Sequence, residues 1–136
     1  MASYGRLLGA LARVEGGAEP IPYLRARGRE AGKRLLGGAY QGFAKASGAL
    51  DLKGVRIVIG AARMLYDFMK WEARELSDGS YEIVVSEAAN YPDAALHTAE
   101  GFLELYGELC CGVRPGVSST RPHADEIRIH VTPPRA

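Results

Sequence analysis

The spacing of apolar residues changes along this chain, from helical periodicity in the first half to alternation in much of the second. Leu7, Leu8, Leu11 and Val14 recur at helical spacing, which predicts a short amphipathic helix over about residues 3–15, ended by Gly16-Gly17. Pro20 and Pro22 suit the first turn of a second helix. From there to about residue 45, Tyr23, Leu24, Leu35, Leu36 and Tyr40 share one apolar face. Gly28, Gly32, Gly37, Gly38 and Gly42 interrupt this segment, each at a cost of about 1 kcal/mol relative to Ala. Gly28 and Gly32 lie one turn apart and mark a face for close packing. Gly37-Gly38 either extend that role or split the helix in two.

Residues 51–70 carry two patterns. Val55 to Ile59 alternates like a strand, while Leu52, Val55, Ile59, Ala62, Tyr66 and Met69 follow helical spacing behind a plausible N-cap at Asp51. The longer window favours a helix. Trp71–Leu76 and Tyr81–Glu87 then flank Ser77-Asp78-Gly79-Ser80, and Asp-Gly between strand-like runs predicts a β-hairpin over about 68–88. Pro92-Asp93 opens a helix over 94–111 whose inner face is Leu96, Ala99, Phe102, Leu103, Tyr106 and Cys110. Residues 112–124 read as loop or edge strand, and 126–131 alternate as a half-buried strand ended by Pro133-Pro134. Helices, hairpin, helix and closing strand make an α+β layout, with N-terminal helices packed on one face of a small antiparallel sheet.

At 136 residues the chain has the size of one domain, and a formal net charge of +1 gives no field to attract nucleic acid. It has no apolar run of about 18 residues, so no membrane span is expected. The N-terminus lacks the features of a secretion signal. Cys110 and Cys111 are neighbours, a spacing that rarely forms a bridge, and read as reduced residues of a cytoplasmic protein. Arg outnumbers Lys, and Asn90 and Gln41 are the sole amides of their kinds, as in thermophile proteins or those of GC-rich genomes.

Three stretches resemble the 4-vinyl reductase domain family, which shares its fold with small subunits of the transport-particle (TRAPP) tethering complex. The run from Tyr23 to Leu35 is similar to the family's early helix, with Gly28 and Gly32 in a Tyr-x-x-x-x-Gly-x-x-x-Gly frame. Trp71-Glu72 through Ser86-Glu87-Ala88-Ala89-Asn90-Tyr91-Pro92 resembles its hairpin and following turn. Glu100-Gly101-Phe102-Leu103 resembles its Gly-Phe-Leu helix, and the run from Asp125 to Val131 lies where the closing strand belongs. The resemblance implies one domain over 1–136: an N-terminal helix and loop (1–19), the core (20–132) and a tail (133–136). It also implies a homodimer that binds a small apolar, hydrocarbon-like molecule or serves assembly, without enzymatic activity. An apolar pocket between helices and sheet would be lined by Tyr66, Phe68, Trp71, Phe102, Leu103 and Tyr106. Each of these residues alone is a normal core residue. Many such domains carry a cysteine at the helix start and two around the last hairpin, and some bind zinc. Here His97 stands at the helix start and 113–131 holds no cysteine, so the likeness does not extend to a metal or any other cofactor.

Other chemistry is thinly represented. His97, His123, His130, Cys110 and Cys111 follow no recognised zinc spacing. A small thiol enzyme would use Cys110 with His97 or His123 as base. A purely structural partner subunit is the third reading. No nucleophile elbow or phosphate-binding glycine loop is present. Glu100, Glu104 and Glu108, at every fourth position, read as a solvated face of their helix. Arg25, Arg27, Arg29, Lys33 and Arg34 read as an exposed basic face interleaved with Glu30 and poor in stacking aromatics, which argues against nucleic acid.

Overall fold

A computed structural model describes residues 2–15, 20–35, 53–56, 59–60 and 69–134. Helix α1 spans Ala2–Glu15 and α2 spans Pro20–Leu35. Residues 53–56 and 59–60 are helical, in keeping with the helical reading of that stretch. Strands β1 (Lys70–Glu75) and β2 (Tyr81–Ser86) form the expected hairpin. Helix α3 (Asp93–Cys111) follows, then β3 (Gly116–His123) and β4 (Glu126–Thr132). The expected continuation of α2 past residue 35, the break at Gly37-Gly38, the Asp51 cap, and Tyr66 and Phe68 lie outside the described residues.

The four strands form an antiparallel sheet in the order β1-β2-β4-β3. Both β2 and β3 are antiparallel to β4, so they run parallel to each other, and α3 is the crossover joining them with β4 inserted between. Alternation decides which side is buried. Trp71 pairs with Val85 and Val85 with Ile127; Ala73 pairs with Ile83, Ile83 with Ile129 and Ile129 with Ser119. Tyr81, Val131 and Val117 make the third row. These rows face the core, where Ile127, Ile129 and Val85 are fully enclosed. The opposite face is polar: Glu82 meets Arg74 at 3.0 Å and Arg128 at 3.7 Å, and Arg128 meets Glu126 at 3.1 Å. A one-faced antiparallel sheet of this kind is the α+β layout expected from the sequence. Residues 116–123 are the edge strand anticipated as one of two options, and a register shift interrupts their pairing between Thr120 and His123.

Helix α3 starts without a side-chain cap; the Pro92 carbonyl accepts from the Ala95 and Leu96 amides. It ends at Gly112, whose φ of 75° lets its amide reach the Glu108 carbonyl at 2.7 Å. Helix α2 packs along α3 rather than on the sheet. The contact is close because both helices present glycine there. A Cβ on Gly28 would overlap the Thr98 carbonyl, and one on Gly101 would overlap the Arg25 carbonyl. Gly32 meets the side chains of Leu105 and Phe102. The Gly28/Gly32 face is therefore consumed inside the chain. It is closed to a second copy of the chain.

Candidate functional site

The densest polar grouping lies in the seam between α2, α3 and β3. On α3, Thr98, Gly101, Phe102 and Leu105 face α2, while Leu96, Leu103, Tyr106 and Cys110 join the core over the sheet. The Glu100–Glu104–Glu108 ridge falls between those two faces, so it points into the seam. Glu100 is 1% exposed and Glu104 5%. This corrects the reading of these carboxylates as a solvated face. It also corrects the exposed basic face for two of its members. Arg25 donates to Glu100, to Glu104 (2.7 Å) and to the Val117 carbonyl (3.0 Å). Arg29 donates to Glu108 at 2.5 Å and stands 3.9 Å from Glu104. Arg114 stands 3.8 Å from both Glu104 and Glu108. The remaining Glu100 oxygen is held by Ser119 Oγ, which donates at 2.8 Å, and by His97 Nδ1 at 2.7 Å.

Burial pushes the Glu100 carboxyl up, but hydrogen bonds from His97 and Ser119 and the charge of Arg25 outweigh it and hold the group below the ordinary range. Glu108 is also lowered, chiefly by its bond from Arg29. The seam is a matched set of charges that favours the ionised form of Glu100 and Glu108. His97 and Ser119 both address the same carboxylate oxygen, so neither activates the other as a base–nucleophile pair does. Its work is to fasten α2 to α3 and β3.

Cys110 is buried and Cys111 half-buried, and neither is in a disulfide. His97 and Cys110 stand near opposite ends of α3, about 20 Å apart along the axis at 1.5 Å per residue. His123 is at the far end of β3, beside the Arg121–Asp93 contact at the start of α3. Neither histidine is placed to serve Cys110. His130 Nε2 contacts Ser80 Oγ at 2.8 Å, and Ser80 donates through Oγ (2.5 Å) and its amide (2.9 Å) to Asp78. Those bonds from Ser80 lower the Asp78 carboxyl and brace the β1–β2 turn. Among the described residues no group of three or more His, Cys, Asp or Glu could hold a metal ion, and no helix is long and apolar enough to cross a membrane.

A cleft lies elsewhere, where Arg56, Ile59 and Gly60 meet β1. It is an open cleft of about 410 Å³ lined by Arg56, Ile59, Gly60, Trp71, Glu72 and Ala73. Ile59 and Trp71 are buried in its wall, and Trp71 stacks edge-on against Tyr91 at 6.1 Å. Of the expected pocket residues that are described, only Trp71 lines this cleft. Leu103 and Tyr106 are core residues, 7% and 1% exposed, and Phe102 is turned toward Gly32 of α2. The family resemblance implied a pocket between the helices and the sheet, lined from α3 by Phe102, Leu103 and Tyr106. It missed Arg56, Ile59, Gly60, Glu72 and Ala73; the helical spacing that pairs Val55 with Ile59 was the available signal.

The chain matches no protein-family model, and no curated protein matches it. Among solved structures it is similar to an H-NOX protein from K. algicida, a mutant in the Fe(II) unliganded form. The two share 11% identity with a TM-score of 0.62, over 95% of this chain and 70% of the other. They share a fold.

Proposed function

We propose that this chain is a non-enzymatic small-ligand-binding module of cytoplasmic origin, similar to 4-vinyl reductase domains and to small TRAPP subunits, that works as a homodimer. Its ligand is a small molecule with an apolar, hydrocarbon-like body. The observation that carries this reading is the open cleft at Trp71, within the usual size range of ligand sites, where Ile59, Trp71 and Ala73 supply apolar wall beside the charged Arg56 and Glu72. The H-NOX likeness is one of fold alone. Its Fe(II) is not part of the proposal, because the described residues offer no ligand set for a metal. The thiol-enzyme alternative has no supporting geometry, with Cys110 remote from His97 and from His123. An assembly module or a purely structural partner subunit of the same fold would leave the cleft empty.

Native mass spectrometry of the protein as purified from its expression host separates these. A dimer that carries a non-covalent organic mass, lost under denaturing conditions, is expected. A dimer without adduct favours the assembly reading, and a monomer without adduct overturns the proposal.

A further inference from the structure

The rim of the cleft carries one cation and one anion that are not engaged with each other. Arg56 and Glu72 both line it, both are exposed, and neither has an ion-pair partner among the described residues. Other exposed charges, such as Arg27, Arg34 and Glu75, also have no ion pair among the described residues, but they are not brought together at a cleft. Arg25, Arg29, Arg74, Arg114, Arg121 and Arg128 are matched with carboxylates. The cleft follows the edge of β1, so residues of opposite parity reach it: Trp71 and Ala73 from the core face and Glu72 from the polar face. Gly60 has open space beside its Cα, which leaves that wall without a side chain.

We infer that the cleft receives a small zwitterion with an apolar body, such as a free apolar or aromatic amino acid. This rests on the ligand-binding reading and names its ligand class. The guanidinium of Arg56 suits a carboxylate, to which its planar fork can donate twice. The carboxylate of Glu72 suits an ammonium group. Ile59, Trp71 and Ala73 take the apolar part, and the Trp71 ring gives it an aromatic wall. A simple anion meets repulsion from Glu72, and a simple cation meets repulsion from Arg56. Only a ligand with both charges satisfies both groups, and this selects against plain acids and plain amines.

Isothermal titration of the full chain with four probes tests this: L-phenylalanine, phenethylamine, 3-phenylpropanoate and toluene. L-Phenylalanine is expected to bind about fivefold or more tightly than either singly charged analogue, the scale of one exposed ion pair. Arg56→Gln should remove its advantage over phenethylamine, and Glu72→Gln its advantage over 3-phenylpropanoate. Both residues are exposed, so neither change threatens the fold. Equal binding of all four probes, unchanged in both variants, overturns the zwitterion and leaves the apolar-ligand reading standing. Binding of none of them overturns both.

Discussion

At the scale of residues, two glycines and one arginine control how α2 sits on α3. Gly28 and Gly101 each receive the other helix's carbonyl where a side chain would be. Gly28→Ala or Gly101→Ala should therefore cost about 3 kcal/mol, the upper end for overpacking, because the obstacle is backbone that cannot rotate away. Urea unfolding measures it, and a loss under 1 kcal/mol would show that the helices separate freely. Arg25→Ala leaves two buried carboxylates short of their main partner. The expected loss is about 3 kcal/mol, the low end for a broken buried pair because Arg25 is itself partly exposed. Both sides of this ladder are visible in the sequence, Arg25 and Arg29 at i,i+4 against Glu100, Glu104 and Glu108 at the same spacing. What hid it is that charge spacing on one helix describes a face without saying what covers it. The glycine frame at Gly28 and Gly32 was the clue that two helices close on each other there.

At the scale of elements, periodicity found the hairpin, α3 and β4 because each has one wet and one dry face. Edge strand β3 was harder, since Ser118, Ser119, Thr120 and Pro122 leave it little alternation, and its pairing comes from β4 rather than from its own residues. Its key side chain is Arg121, which no motif announced. It donates to Asp93 (3.0 Å) and to the carbonyls of Tyr91 (2.5 Å), Ala88 (3.2 Å) and Ala124 (2.9 Å). Those bonds tie the turn before α3 to the β3–β4 hairpin. Arg121→Ala should loosen that turn, raising hydrogen exchange at the Ala88, Tyr91 and Ala95 amides with little change in the centre of α3. Uniform acceleration along the whole helix would contradict a local role.

At the scale of the molecule, the seam makes stability depend on acid. Glu100 and Glu108 titrate in the folded chain below their ordinary value of 4.5. Their contribution is fully present above that value and is lost as pH falls through the lowered folded-state values. Thermal unfolding should show the melting temperature falling as pH drops below about 4.5, less steeply in Glu100→Gln, whose amide has no proton to take up. The fold class was legible in the sequence from the order of elements, whereas the cleft was not. A cleft forms between segments distant in the chain, and of its lining only Trp71 stood out by residue type. In the proposed function a small molecule places its apolar body against Trp71, and the chain has one tryptophan, hence one indole N–H signal. Titration with toluene, followed by the ¹H–¹⁵N spectrum, tests this most directly. A saturable shift of the Trp71 indole peak is expected, with the amides of Ile59, Gly60, Glu72 and Ala73 moving in step. Saturable shifts confined to residues away from the cleft, or no saturable shift at all, would contradict it.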